Sequence, residues 1–265
     1  MVLILVMERV RGTQLEDERC SELLAALRPL IRPTGPGALS QYPRPWMTDY
    51  VAPWAARVFT VGFNQHSPYL ATELPRVLDE LYPGDPRSPD EKYIASLLNC
   101  PPGRCREVYE RVFPGPPGPT RRNTDSVIQA LGDVGIPDVV QTNVICYSTP
   151  MARDLRLPAH RNGVKRGREI FETLVQIIRP RVIIAHGAKT SRKLAETLRT
   201  LRLNGAEFTV PKPRVPPSQP LSAHIDDIVV FIIPSLAPPA FNRWGRGMLS
   251  HVAAVAEEVR EILDD

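Results

Sequence analysis

Four short apolar runs constrain this chain most: Val58-Phe59-Thr60-Val61, Val139-Val140-Gln141-Thr142-Asn143-Val144-Ile145-Cys146, Val182-Ile183-Ile184-Ala185 and Ile228-Val229-Val230-Phe231-Ile232. Runs this short and this rich in β-branched residues read as strands buried on both faces. Helical patterns separate them, over residues 123–134, 167–178 and 190–203, and a last one covers 248–263. Strands that alternate with helices form a parallel sheet covered on both sides. The expected fold class is therefore α/β, a three-layer α/β/α sandwich around a central, mostly parallel four-stranded sheet. With 265 residues, 43% apolar and 23% charged, and with no internal repeat, one domain over 1–265 is expected.

Within that domain, residues 1–53 read as a helical and proline-rich N-terminal extension. Leu15, Cys20, Leu23, Leu24, Leu27 and Leu30 give helical spacing over 14–31. Residues 83–119 read as an insertion, with short helices at 90–99 and 106–113 between proline-glycine clusters. Such loops on a rigid scaffold often carry binding specificity. Pro211 to Pro220 is too rich in proline for regular structure.

In an open parallel sheet, ligands bind outside the carboxyl ends of the strands. The first strand ends in Gly62-Phe63-Asn64-Gln65-His66 and the last in Ile233-Pro234-Ser235-Leu236, so both loops are expected at one crevice. Together with Asn143 on the second strand and Arg179-Pro180-Arg181-Val182-Ile183-Ile184 leading into Gly187, this ordered set resembles the uracil-DNA glycosylase superfamily. There, Gly-x-Asn/Asp ends the first core strand and His-Pro-Ser the last. The resemblance covers roughly residues 57–250, the family core, and implies base excision from DNA by hydrolysis of the N-glycosidic bond.

The resemblance implies catalytic roles for Asn64 and Ser235, and base reading by Asn143. The residue chemistry suits them. The Asn64 carbonyl can orient a water, and a dissociative reaction asks little base strength of its helper. An amide offers one donor and one acceptor, so Asn143 complements the edge of either uracil or cytosine. Phe63, Gln65, His66 and Tyr69 are the other base-contact candidates, with Tyr69 expected to stack. Ser235 can hold a flanking phosphate, Leu236 or Phe241 can fill the gap left by a flipped nucleotide, and Arg243 and Arg246 can grip the backbone. At Ile233, where the resemblance implies a histidine beside the anionic base, the chain has no donor. That departure points to a divergent base preference.

The net charge of +4 is mild, but the basic residues crowd. Lys165, Arg166 and Arg168 lie in one run, and Lys189 follows Gly187 where a helix N-terminus can receive a phosphate. The expected partner is DNA, with no obligate protein partner evident. The five histidines lack metal-ligand spacing, and the four cysteines are a poor ligand set because Cys20 is remote and Cys146 falls on a strand. No metal or cofactor is expected. The opening Val2–Met7 is too short to span a bilayer, so a cytoplasmic protein that contacts no membrane is expected. The reading is a monofunctional DNA glycosylase acting on a uracil-type base or on a bulky modified pyrimidine of phage DNA in defence. The alternatives are a DNA-binding protein of the same fold with weak or no turnover, or an α/β hydrolase of nucleosides or nucleotides.

Overall fold

The structure is a computed structural model, and it describes residues 18–203, 220–238 and 240–265. The apolar opening, the first turn of the expected 14–31 helix and nearly all of the 211–220 stretch lie outside the described residues.

A six-stranded mixed sheet forms the centre, in the order β2 (Trp46–Met47), β5 (Val139–Ser148), β3 (Val58–Gln65), β6 (Val182–His186), β8 (Ile228–Ile233) and β7 (Ser222–Ile225). Its middle is parallel: β5, β3, β6 and β8 pair in that order. The expected four strands are thus joined by two edge strands that run antiparallel. One is β2, drawn from the proline-rich extension, and the other is β7. A tight turn at Asp226 and Asp227, with Asp226 at φ 48°, folds β7 back on β8. The extension is also less irregular than expected, since β1 (Gln41–Tyr42) pairs with β4 (Tyr69–Leu70) in a separate ribbon.

Helices cover both faces. On one side, α5 (Pro119–Asp133) and α9 (Arg246–Asp264) bury Val127, Leu131, Val252, Val255 and Val259 against the sheet. On the other, α6 (Arg161–Ile178) and α7 (Ala188–Thr200) bury Ile170, Phe171, Leu174, Leu194 and Leu198. Both α5 and α6 begin several residues before the apolar periodicity does. Pro119 supplies a preset first helical residue for α5. A left-handed Arg179 followed by Pro180 ends α6. Residues 18–27 are helical (α1), and α2 (Leu74–Leu81) is a helix that the sequence reading lacked. In the insertion, α3 (Pro89–Leu97) starts on a capping box of Ser88 and Glu91, and α4 (Arg104–Val112) follows it. The short α8 (Ala240–Trp244) precedes α9. No helix among the described residues is long and apolar enough to cross a membrane.

One face of the sheet explains where a site forms. Side chains alternate along a strand, so residues two apart share a face. Toward α5 and α9, Val58, Val139, Val182 and Val229 make an apolar first row. The second row is Thr60 and Gln141 beside Ile184 and Phe231, and the third is Gly62 and Asn143 beside His186 and Ile233. The β6–β8 half of this face packs under α9. The β3–β5 half carries polar residues and opens into a cavity.

Candidate active site

The cavity has a volume of about 720 Å³ and lies at the carboxyl ends of β3, β5 and β6. Phe63, Asn64, Gln65, His66 and Ser67 line it from the first strand and its loop. Thr60, Gln141, Thr142 and Asn143 form the sheet side, with Trp46 and Met47 of β2 beside them. The start of α5 contributes Thr120, Arg121 and Thr124, the start of α7 contributes Ala188, Lys189 and Thr190, and the loop after β8 contributes Ser235 and Ala237. Tyr109 of the insertion closes one wall, so that segment does reach the site.

Gly62 fixes the centre of the cavity. A Cβ there would stand 2.4 Å from Asn143 Oδ1 and 2.9 Å from His186 Nε2. An amide from β5 and an imidazole from β6 therefore converge in the space that any other residue would fill. Among the described residues neither side chain has an intramolecular hydrogen bond, and both line the cavity. Protein packed around the ring pushes the His186 pKa down to about 4, so the imidazole is neutral at physiological pH. It then offers one N–H donor and one acceptor nitrogen.

Asn64 is held in a way that defines its chemistry. Its Nδ2 donates to the Gln65 carbonyl at 2.9 Å and to Thr149 Oγ1 at 3.1 Å. With both amide hydrogens committed, Oδ1 is the free acceptor at the cavity wall. Gln65 Nε2 donates to the Arg44 carbonyl at 2.8 Å, which ties the motif to the proline-rich extension. His66 is exposed at the rim, with Nδ1 3.3 Å from Ser67 Oγ.

Ser235 meets the start of α7. A Cβ on Gly187, whose φ is 88°, would lie 3.2 Å from Ser235 Cβ, so glycine permits the close approach. The Ser235 hydroxyl accepts from Ala237 N at 3.3 Å. With Lys189 exposed in the first turn of a thirteen-residue helix, this corner unites a hydroxyl, an ammonium and the positive end of a helix dipole.

Several expected site residues sit elsewhere. Tyr69 does not line the cavity; it is 3% exposed, stacked on Phe113 at 5.6 Å and covered by the Arg44 guanidinium at 5.1 Å. Trp46, Phe63 and Tyr109 bring aromatic rings to the wall instead. Leu236 is 1% exposed in the α5–α9 core, with its carbonyl bonded by Asn123 Nδ2 at 2.7 Å, so it is no free wedge. Phe241 is partly buried against the same core, and Arg243 is exposed. The Arg246 side chain lies outside the described residues. Lys165 and Arg168 line a second groove of about 430 Å³ along α6, shared with Glu169 and Glu172, while Arg166 Nη1 bonds the Arg32 carbonyl. The basic run thus stands apart from the cavity.

Ile233 also differs from its expected place. It is 3% exposed and packs with Val127, Leu131, Val252 and Val255, away from the cavity. Its paired residue on β6 is His186. The cavity therefore has an imidazole one strand away from where the resemblance implies one. The sequence reading singles out only Gly187 and Lys189 after this residue, although a histidine at the carboxyl end of a core strand is itself a site signal.

Cys105 and Cys146 are buried, with thiols pushed up to about 12 by burial, whereas Cys100 is exposed. No cluster of metal-ligating side chains occurs among the described residues. No protein-family model matches the chain, and no curated protein is significantly similar to it.

Proposed function

We propose that this chain is a monofunctional DNA glycosylase that receives a flipped pyrimidine in the cavity and hydrolyses its bond to deoxyribose. The observation that carries this reading is the convergence of Asn143 Oδ1 and His186 Nε2 within 3 Å of one point above Gly62, with the Asn64 acceptor on the same strand. We equate the parallel strands β5-β3-β6-β8 with the four-stranded core implied by the resemblance to uracil-DNA glycosylases.

In this mechanism Asn143 pairs with the base edge through its amide. As the C1′–N1 bond breaks, its electrons leave with the base and the sugar becomes cation-like. Asn64 Oδ1 holds the water that adds to C1′. The neutral His186 N–H donates to the developing anion on the base, a role that needs a donor rather than a charge. Ser235 and Lys189 hold a neighbouring phosphate at the α7 N-terminus. Phe63 offers a ring for stacking at the cavity wall, while Tyr109 is packed against the Arg44 and Arg121 guanidiniums.

A uracil-type substrate would make this a repair enzyme, and a modified pyrimidine of foreign DNA would make it a defence enzyme. The test is incubation with a panel of modified genomic DNAs, with mass spectrometry of released bases and detection of abasic sites. Free base with matching abasic sites supports the reading. Persistent DNA binding with no released base identifies a binding protein, and cleavage of free nucleosides alone identifies a nucleoside hydrolase.

A further inference from the structure

A nucleotide drawn out of a duplex leaves a gap in the base stack, and proteins that unstack bases commonly push an apolar side chain into it. The loop after β8 does not supply one here, because Leu236 is in the α5–α9 core and Phe241 packs against it. Five large apolar side chains are exposed among the described residues: Leu39, Val51, Met151, Leu157 and Leu249. Of these, only Met151, 52% exposed, adjoins a residue that lines the cavity, Ala152. A lone exposed methionine is ordinary, and what sets Met151 apart is where it stands and how it is held.

Thr149 Oγ1 accepts from Asn64 Nδ2 at 3.1 Å and donates to the Met151 carbonyl at 2.9 Å. Two hydrogen bonds in series, about 6 Å, thus join the amide proposed to hold the water to the Met151 backbone. Thr149 N also donates to the Gln65 carbonyl at 3.1 Å, which fixes the loop to the end of β3. The sugar under attack lies against Asn64, and one missing base leaves about 7 Å between its stacked neighbours. An unbranched thioether with three rotatable bonds fits an irregular slot of that size and makes favourable sulfur contacts with rings. Met151 N donates to Asp154 Oδ2 at 3.0 Å, and Asp154 N donates to the Met151 carbonyl at 2.9 Å. None of these bonds uses the Met151 side chain, so the turn presents it without depending on it. Arg153 and Arg156 are exposed on the same loop, where guanidiniums can meet the DNA backbone.

We propose that Met151, on the loop after β5, is the wedge that enters the base stack and fills the gap left by the flipped nucleotide. This rests on the glycosylase reading for the flipped base, though binding tests it separately. Fluorescence anisotropy measures affinity for three labelled DNAs of one sequence: the intact duplex, the duplex with one tetrahydrofuran abasic analogue, and the single strand carrying that analogue. The analogue presents the gap with no base to excise. The variants are Met151→Ala, Met151→Leu as the conservative replacement, and Leu157→Ala, which is exposed on the same loop but beside the α6 groove. Melting temperature checks folding, and base release from the panel of modified DNAs is measured in parallel.

The wild type should bind the gapped duplex at least tenfold more tightly than the intact one. Met151→Ala should lose about 10-fold or more of that preference, the contribution of burying one methionine side chain, while Met151→Leu and Leu157→Ala keep it. The loss should be confined to duplexes. No gap preference in the wild type, a preference that survives Met151→Ala, an equal loss in Leu157→Ala, or an equal weakening on the single strand overturns the wedge. If the preference depends on Met151 yet no DNA releases base, the wedge stands and the glycosylase reading falls. If base is released without such a preference, the wedge falls and that reading stands. If neither is seen, both fall.

Discussion

Replacing His186 by leucine is the perturbation with the clearest arithmetic. The ring lines the cavity with Nε2 beside Asn143, and burial holds its pKa near 4 against about 6.5 in an unfolded chain. Removing one preorganised donor to a developing anion slows chemistry by about 10²–10³. Single-turnover release by His186→Leu should fall by that factor while affinity for DNA stays within a few-fold. Because the ring is already neutral, the wild-type rate should show no step from His186 between pH 5 and pH 8. Stability should respond to pH in the opposite region. The folded pKa is depressed, so the unfolded chain binds more protons between pH 6.5 and 4. Folding is therefore weakened as pH falls through that window, by up to about 3 kcal/mol, and the loss is complete below the folded pKa. Denaturant titrations across this range should show that slope in the wild type and a shallower one in His186→Leu. A variant that releases base at the wild-type rate, or a rate that titrates near pH 6.5 and loses that step in the variant, refutes a neutral donor.

Gly62→Ala should damage the site from within: its Cβ would overlap Asn143 Oδ1, so base discrimination should drop while the melting temperature moves little, and unchanged selectivity by single-turnover release would argue against the convergence. Ile233→His should unfold more readily, by a few kcal/mol, because it puts an imidazole among Val127, Leu131 and Val252, and it should bring no gain in uracil release. A large uracil-specific gain would show that the position faces the base after all. Replacing Lys165, Arg166 and Arg168 together by alanine should weaken binding to all DNA sequences alike and reduce the salt slope by at most about 3. An unchanged slope would mark the α6 groove as solvated surface.

The parallel core was legible because buried strands need continuous apolar runs, and Val58, Val139, Val182 and Ile228 begin such runs. The edge strands were not. Trp46–Met47 is two residues long and follows Pro43 and Pro45, and its partners Thr142 and Gln141 lie far along the chain. For Ser222–Ile225, the Asp226-Asp227 turn was a hairpin signal that the neighbouring prolines obscured. Asn64 and Asn143 stood out through the order of the motifs, and both side chains line the cavity, Asn143 from the middle of β5. The placement of Ile233 was misjudged because a motif match fixes the strand and leaves open what α9 covers. Tyr69 was close in sequence, yet the β1–β4 ribbon carries it under Arg44. Thr60 and Gln141 read as core strand residues, and only the register shows them one row below Gly62 and Asn143 on the cavity side of the sheet.

The central claim is that Asn64 holds the attacking water while the cavity holds the base. Single-turnover base release by the wild type and by Asn64→Ala, each saturated with the preferred substrate DNA, tests it most directly. The account predicts free base and an abasic site from the wild type, and about a hundredfold slower release from Asn64→Ala with DNA affinity nearly intact. Equal release by the two proteins would contradict it.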